Sequence, residues 1–172
     1  MNIKFRPHKR EDIPLRVKWM NDPRVIKYLG FDISKKVTKK TASKWFDEYE
    51  KESRKGTKKF FLVLDNKKPI GLVGLSRIHK IDGSTDLFII IGDKDYVGKG
   101  ISKTMMNFIV HEYGFGRLDL HKINLGVFTD NKIAVNLYKK MGFKIEGTLK
   151  DEKFFGGRYH DLYSMAIFNK KK

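Results

Sequence analysis

Leu87, Phe88, Ile89, Ile90 and Ile91 form an unbroken apolar run whose length is matched only by Phe60 to Leu64. A strand turns alternate side chains to opposite faces, so such a run has no face to give to water. It belongs in the middle of a sheet, with other elements packed over both sides. As a helix it would fall far short of the roughly 20 residues needed to span a bilayer. Its neighbours agree with a sheet. Residues 59–64, 69–81 and 84–92 read as three strands joined by turns at Asp65-Asn66 and Asp82-Gly83. Links this short predict an antiparallel meander.

Helical spacing flanks the meander. Ile3 and Phe5 alternate with Lys4 and Arg6 as a first short strand that ends at Pro7. Ile13, Val17 and Met20 then mark a helix over 10–20, and Pro23 opens a second short one through Leu29. Ala42, Trp45, Phe46 and Tyr49 lie on one face of a third, over 38–54, closed by Gly56. Beyond the meander the order is helix (101–113), strand (121–128), helix (130–141), then strands at 143–145 and 159–168 around Phe155-Gly156-Gly157-Arg158. Strands and helices in this order predict an α/β (α+β) fold: a mixed, largely antiparallel twisted sheet with helices on both faces.

With 172 residues, no repeat and no Gly/Ser linker, residues 1–172 read as a single domain with a Lys-rich tail at 169–172. The chain has no Cys, which removes disulfides, thiolate metal sites and a cysteine nucleophile. His79, His111, His121 and His160 lack metal-site spacing, so no metal is expected. There is no signal core at the start, and the expected location is the cytoplasm, with no membrane partner. The formal charge is +17. Such a surplus fits an anionic partner or a merely solvated surface. The cations are mostly Lys and are dispersed, whereas nucleic-acid readers rely on Arg for bidentate contacts, so a nucleic-acid partner is the weaker reading.

Two local patterns carry possible chemistry. Gly98-Lys99-Gly100-Ile101-Ser102 follows the apolar strand and opens a helix. Glycines permit positive φ there, and the helix start offers free N–H groups to a phosphate. It is neither a Walker loop nor a dinucleotide fingerprint, and taken alone it is also a plain strand-to-helix turn. The second pattern is Asn131-x-x-Ala134-x-x-Leu137-Tyr138-x-x-x-Gly142-Phe143. Asn131 and Tyr138 share a helical face, and Tyr138 taken alone is equally a core tyrosine.

In this order the two patterns resemble the GNAT superfamily of acetyl-CoA-dependent N-acetyltransferases, in the branch holding the RimJ/RimL protein acetyltransferases and the spermidine acetyltransferases. The opening Lys4-Phe5-Arg6-Pro7 with Arg10-Glu11-Asp12, and the ending Ile145-Glu146-Gly147 with Asp161-Leu162-Tyr163-Ser164-Met165, resemble that branch too. The resemblance implies a sheet of about seven strands. It implies that Gly98, Lys99, Gly100, Ile101, Ser102 and Lys103, with Val97 before them, hold the CoA pyrophosphate. The backbone of Ile89, Ile90 and Ile91 would pair with the pantetheine arm like an added strand. Asn131 would touch that arm, Tyr138 would face the CoA sulfur, and a homodimer is allowed. The chain departs from the family pattern at Asp95, where Gln or Arg is frequent, and at Val97. Its segment between Gly92 and Gly98 is one residue longer than usual.

The chemistry sets its own demands. An alkyl ammonium with a pKa near ~10.4 must lose a proton before it attacks a thioester. The tetrahedral oxyanion needs fixed N–H donors. The leaving thiolate, with a pKa of roughly 8.5 for a simple thiol, takes a proton from a nearby acid, for which Tyr138 is suited. Without Cys, direct transfer in a ternary complex is favoured over a cysteine acyl-enzyme. Asp86 opens the apolar strand and is either the base or a solvated aspartate. The acceptor is a small-molecule or peptide amine. Gly74 and Arg77 stand where polyamine relatives tend to place acids, and Ser34-Lys35-Lys36 is basic, so a protein N-terminus or an amino sugar is expected rather than a polyamine. The competing readings are a nucleic-acid-binding module and a non-catalytic CoA-binding regulator.

Overall fold

The computed structural model describes residues 1–30 and 35–170. Residues 171 and 172 of the expected tail lie outside that range, as does Ser34. The elements are β1 (Ile3–Pro7), α1 (Ile13–Met20), α2 (Pro23–Ile26), α3 (Lys39–Arg54), β2 (Lys59–Asp65), β3 (Lys68–His79), β4 (Ser84–Ile91), α4 (Ile101–Met106), β5 (Lys122–Phe128), α5 (Lys132–Lys140), β6 (Lys144–Phe155) and β7 (Arg158–Phe168). The helix begun by α4 continues in wider π-type turns over Asn107–Arg117, four residues beyond the expected end. No helix among the described residues is long and apolar enough to cross a membrane.

One seven-stranded sheet runs in the order β1-β2-β3-β4-β5-β7-β6. Every pairing is antiparallel except β4 with β5. The alternation along β2 shows how the layers form. Phe61 and Val63 pack under α4 and its continuation with Met105, Ile109 and Tyr113. Phe60 and Leu62 point the other way, Phe60 into the cluster of Ile13, Ala42 and Phe46 and Leu62 against Trp19. Helices α1 to α3 thus cover one face, and α4 with α5 the other. The apolar run of β4 is the fourth strand of seven, with Ile90 against the first layer and Leu87 in the second. At its end a glycine is required, because a Cβ on Gly92 would fall 2.1 Å from the Trp19 ring.

The last two strands differ from expectation. The sequence places a strand only at 143–145, whereas β6 runs from Lys144 to Phe155 and pairs with β7 as a long hairpin. Nearly all of β6 is exposed, with irregularities after Ile145 and Leu149. As an edge strand covered on neither face, it carries no apolar alternation to read.

A buried polar knot fixes β1 to α1. The Asp12 carboxylate, 2% exposed, accepts from Arg6 Nη2 at 2.6 Å, Arg6 Nη1 at 2.8 Å and the Lys9 N–H at 2.8 Å. His8 Nδ1 lies 3.2 Å from the same carboxylate. Desolvation, reinforced by Arg16, pushes the His8 pKa down to about 4 and outweighs the pull of Asp12. The folded protein therefore holds His8 neutral where the unfolded chain protonates it. Stability is full above the unfolded pKa of 6.5 and is lost as the pH falls toward about 4. At ~1.4 kcal/mol per pKa unit, this one group should lower the unfolding free energy by about 2 kcal/mol between pH 7.5 and pH 5. Denaturant melts of the wild type and His8→Gln at both pH values check this. The variant should show the smaller drop, and equal drops would mean that His8 titrates normally.

Candidate active site

The parallel pairing of β4 with β5 covers only Ser84–Lys122, Thr85–Ile123 and Asp86–Asn124. That end is held shut by the Gly83 carbonyl, which accepts from the His121 and Lys122 N–H groups at 2.7 and 3.0 Å, and by Asn124 Nδ2 donating to the Thr85 carbonyl at 3.2 Å. Past Asp86 the strands part. β4 continues on β3 to Ile91, and β5 continues on β7 to Phe128. A strand edge inside a sheet is left open to a ligand.

The register decides which backbone groups line this gap. The Gly92 N–H donates to the Ile70 carbonyl at 2.9 Å, so Gly92 and, by alternation, Ile90 aim their backbone groups at β3. Ile89 and Ile91 therefore present theirs to the gap. Of the three isoleucines singled out in the sequence, these two are placed to receive an added strand, and Ile90 is spent in the ladder.

After β4 the chain makes a 3-10 turn at Lys94–Tyr96 and reaches Gly98 (φ +79°) and Gly100 (φ +77°). A side chain at either position would strain the backbone, yet a Cβ there would meet nothing within 4 Å. The loop is an open concavity bounded by glycines. Gly100 caps α4, whose first N–H groups have no partner inside the helix. This backbone fits a phosphate. Val97 and Lys99 are exposed beside it, and so is Lys103. Ile101 is 1% exposed and packs into the core, so only its backbone is available.

Asn131 caps α5, accepting from the Ala134 N–H at 3.2 Å. Tyr138 is buried in the cluster that Ile89 and Ile91 border, with Leu125 and Val127 of β5 in the same cluster. It lies on the same face of the sheet as Leu125 and Val127. Desolvation pushes its pKa up to about 12, and no hydrogen bond holds its hydroxyl among the described residues. Asp86 is on the other side. It alternates with Phe88 and Ile90 of the α1–α3 face, and its carboxylate is ion-paired with Arg77. The structure does not bring Asp86 and Tyr138 onto one face of the sheet.

An aromatic group at the far end of β5 escaped the sequence reading. Phe128 packs edge-on to Phe155 at 5.2 Å and to His160 at 5.7 Å, with Tyr28 at 6.4 Å. His160 stacks on Phe155 at 3.8 Å. By the alternation Asn124, Gly126, Phe128, this cluster shares the face of Asp86, whereas Leu125 and Val127 turn toward Tyr138. His160 itself meets Phe128 of β5 and Phe155 of β6, so the group joins separate segments of the chain. A cavity of about 440 Å3, lined by His8, Tyr49 and Arg117 among others, involves none of these residues. Among the described residues no group of His, Asp and Glu side chains could hold a metal ion.

A mixed sheet that splays between its fourth and fifth strands, with an open glycine-bounded loop at the start of α4, is the frame of a CoA-dependent acyltransferase. Residues 2–144 match the family model described as an acetyltransferase (GNAT) domain. A spermidine N(1)-acetyltransferase of Vibrio cholerae is 38% identical over 141 residues, covering 75% of this chain and 80% of that protein. The spermidine N(1)-acetyltransferase of Escherichia coli K12 is 30% identical, covering 97% and 86%. The crystal structure of the Vibrio cholerae spermidine N-acetyltransferase in complex with CoA and spermine superposes with a TM-score of 0.87 at 32% identity, over 99% of this chain and 97% of that one. The chain belongs to the GNAT acetyltransferase family. It is an N-acetyltransferase with acetyl-CoA as co-substrate and an amine as acceptor, rather than a nucleic-acid-binding module or a non-catalytic regulator.

These relatives overturn the expectation of a protein N-terminus or amino sugar in preference to a polyamine. The structure shows why the residues misled. A side chain at Gly74 has no room, since its Cβ would fall 2.3 Å from the Phe60 ring, so that position can hold no acid. Arg77 is not a free cation, because Asp86 neutralises it. Ser34 lies outside the described residues.

The unpartnered hydroxyl makes Tyr138 separable from the core. Tyr138→Phe removes no hydrogen bond, so its effect on stability should stay within about 0.5 kcal/mol, a melting shift of roughly 1–2 °C for a chain of this size. A loss above about 4 °C in a thermal melt would show that the hydroxyl is structural.

Proposed function

We propose that this enzyme transfers the acetyl group of acetyl-CoA directly to a primary amine of a polyamine of the spermidine or spermine kind. The observation that carries the reading is the likeness to spermidine acetyltransferases over nearly the full chain, at 30% identity for the Escherichia coli protein.

In this reading the gap admits the two reactants from opposite faces. The loop of Gly98, Lys99 and Gly100, with the first turn Ile101, Ser102 and Lys103, takes the pyrophosphate on backbone N–H groups. The Ile89 and Ile91 backbone pairs with the pantetheine arm, and an N–H at that edge polarises the thioester carbonyl. The uncharged amine attacks the carbonyl carbon, having released its proton to solvent. The C–N bond forms, the tetrahedral centre collapses, and the C–S bond breaks. Tyr138 gives its proton to the departing sulfur, and its phenolate recovers through solvent the second proton that the attacking nitrogen sheds as it becomes a neutral amide. A phenol near 12 is a weak donor to a thiolate of about 8.5, but burial raises a thiol in the same direction and narrows the difference. Asp86, compensated by Arg77, orients the acceptor end of the gap rather than taking the proton.

Thiol release from acetyl-CoA in the presence of spermidine or spermine tests both parts. Turnover should appear with either amine. Tyr138→Phe should lower kcat by about 100-fold, the low end for general acid catalysis, at nearly unchanged KM for acetyl-CoA. Saturable acetyl-CoA binding without turnover on either polyamine would refute the acceptor class. A Phe variant at full rate would return Tyr138 to the core.

A further inference from the structure

The loop that leads into the glycines contains a side-chain assembly that the acetyl-transfer chemistry does not use. Tyr96 is half-buried at the end of the 3-10 turn and donates its hydroxyl to Asp65 Oδ2 at 2.9 Å. Asp65 lies at the end of β2, and its other oxygen accepts the Asn2 N–H at 2.8 Å. Two ammonium groups approach the Tyr96 ring, Lys68 Nζ at 5.3 Å from the centroid and Lys99 Nζ at 5.8 Å. They differ in one respect. Lys68 is ion-paired with Asp93 at 2.7 Å. Lys99 has no carboxylate partner among the described residues.

The difference has a consequence for anion binding. A lysine held by a carboxylate is electrically neutralised, and a phosphate must compete for it. A lysine held by a ring face is positioned yet keeps its full charge. The ring itself is fixed, because its hydroxyl is tied to Asp65, and that bond keeps the phenol protonated. The same carboxylate also makes the ring a better cation acceptor, by pulling on the hydroxyl proton. Asp93, which carries Lys68, is set by its N–H donating to the Ile70 carbonyl at 3.0 Å.

We infer that Tyr96 is a positioning residue, a strut from the β2–β3 turn that presents an uncompensated Lys99 ammonium to the donor's pyrophosphate. The inference rests on the reading of residues 98–103 as the phosphate cradle. Because Tyr96 acts through Lys99, its effect must depend on Lys99 and on the phosphates.

The test uses the intact enzyme with two donors, acetyl-CoA and S-acetyl-pantetheine, which lacks the pyrophosphate. Tyr96→Leu should raise KM for acetyl-CoA about fivefold at unchanged kcat, with no change in KM for S-acetyl-pantetheine. Lys99→Ala should do the same. The double variant should be no worse than Lys99→Ala alone, since the ring has nothing left to position. Tyr96→Phe, which keeps the ring and loses the tie to Asp65, should recover part of the affinity and covers the case in which the Leu variant folds poorly. Equal losses on both donors, or losses that multiply in the double variant, would overturn the strut while leaving the cradle in place. An acetyl-CoA KM unmoved by Lys99→Ala and Gly100→Val alike would overturn the cradle and the strut together.

Discussion

The site depends on a pairing that stops. β4 and β5 share three register positions and then separate, because each is bound more extensively to its other neighbour. Had the parallel ladder continued to Ile91, the backbone groups of Ile89 and Ile91 would be satisfied by β5 and closed to any ligand. The hydrogen bonds on the Gly83 carbonyl therefore act as a hinge pin that sets where the opening begins. The gap also explains why the apolar run must be central. With layers on both faces, Ile90 stays buried and Phe88, Ile89 and Ile91 stay half-buried although β4 loses a neighbour along its edge.

The two faces of the sheet divide the chemistry. Tyr138 of α5 and Leu125 and Val127 of β5 lie on the α4–α5 face. Asp86 and Phe128 face the layer of α1 to α3, with Tyr28, Phe155 and His160 around Phe128. In the proposed reading, an amine and a thioester arrive from opposite faces and meet across the gap, the geometry that direct transfer needs. The surplus positive charge of the chain has a local counterpart in the exposed Lys99 and Lys103 beside the glycine loop.

Much of this was legible in the sequence where period and chain order carry the signal. The meander, the buried central strand, the glycine turn and the amphipathic α5 all follow from spacing. Three things were not legible. Strand β6 bears no alternation because water covers it. The division between Ile90 and its neighbours is a matter of register, which no single strand specifies. The assembly of Tyr28, Phe128, Phe155 and His160 joins segments far apart in the chain. The acceptor was misjudged because charges were counted without partners. Arg77 reads as a repelling cation until Asp86 is found beside it, and Gly74 reads as a missing acid until Phe60 is found filling its space.

The central claim is that the open edge of β4 receives the acetyl-CoA arm as an added strand. Residue-resolved amide hydrogen exchange, with and without saturating acetyl-CoA, tests it directly. The Ile89 and Ile91 N–H groups face the gap and should slow by at least about tenfold on binding, since hydrogen-bonded amides exchange only through opening. The Ile90 N–H, already committed to β3, should change little. Unchanged exchange at Ile89 and Ile91 while acetyl-CoA is bound would contradict the account.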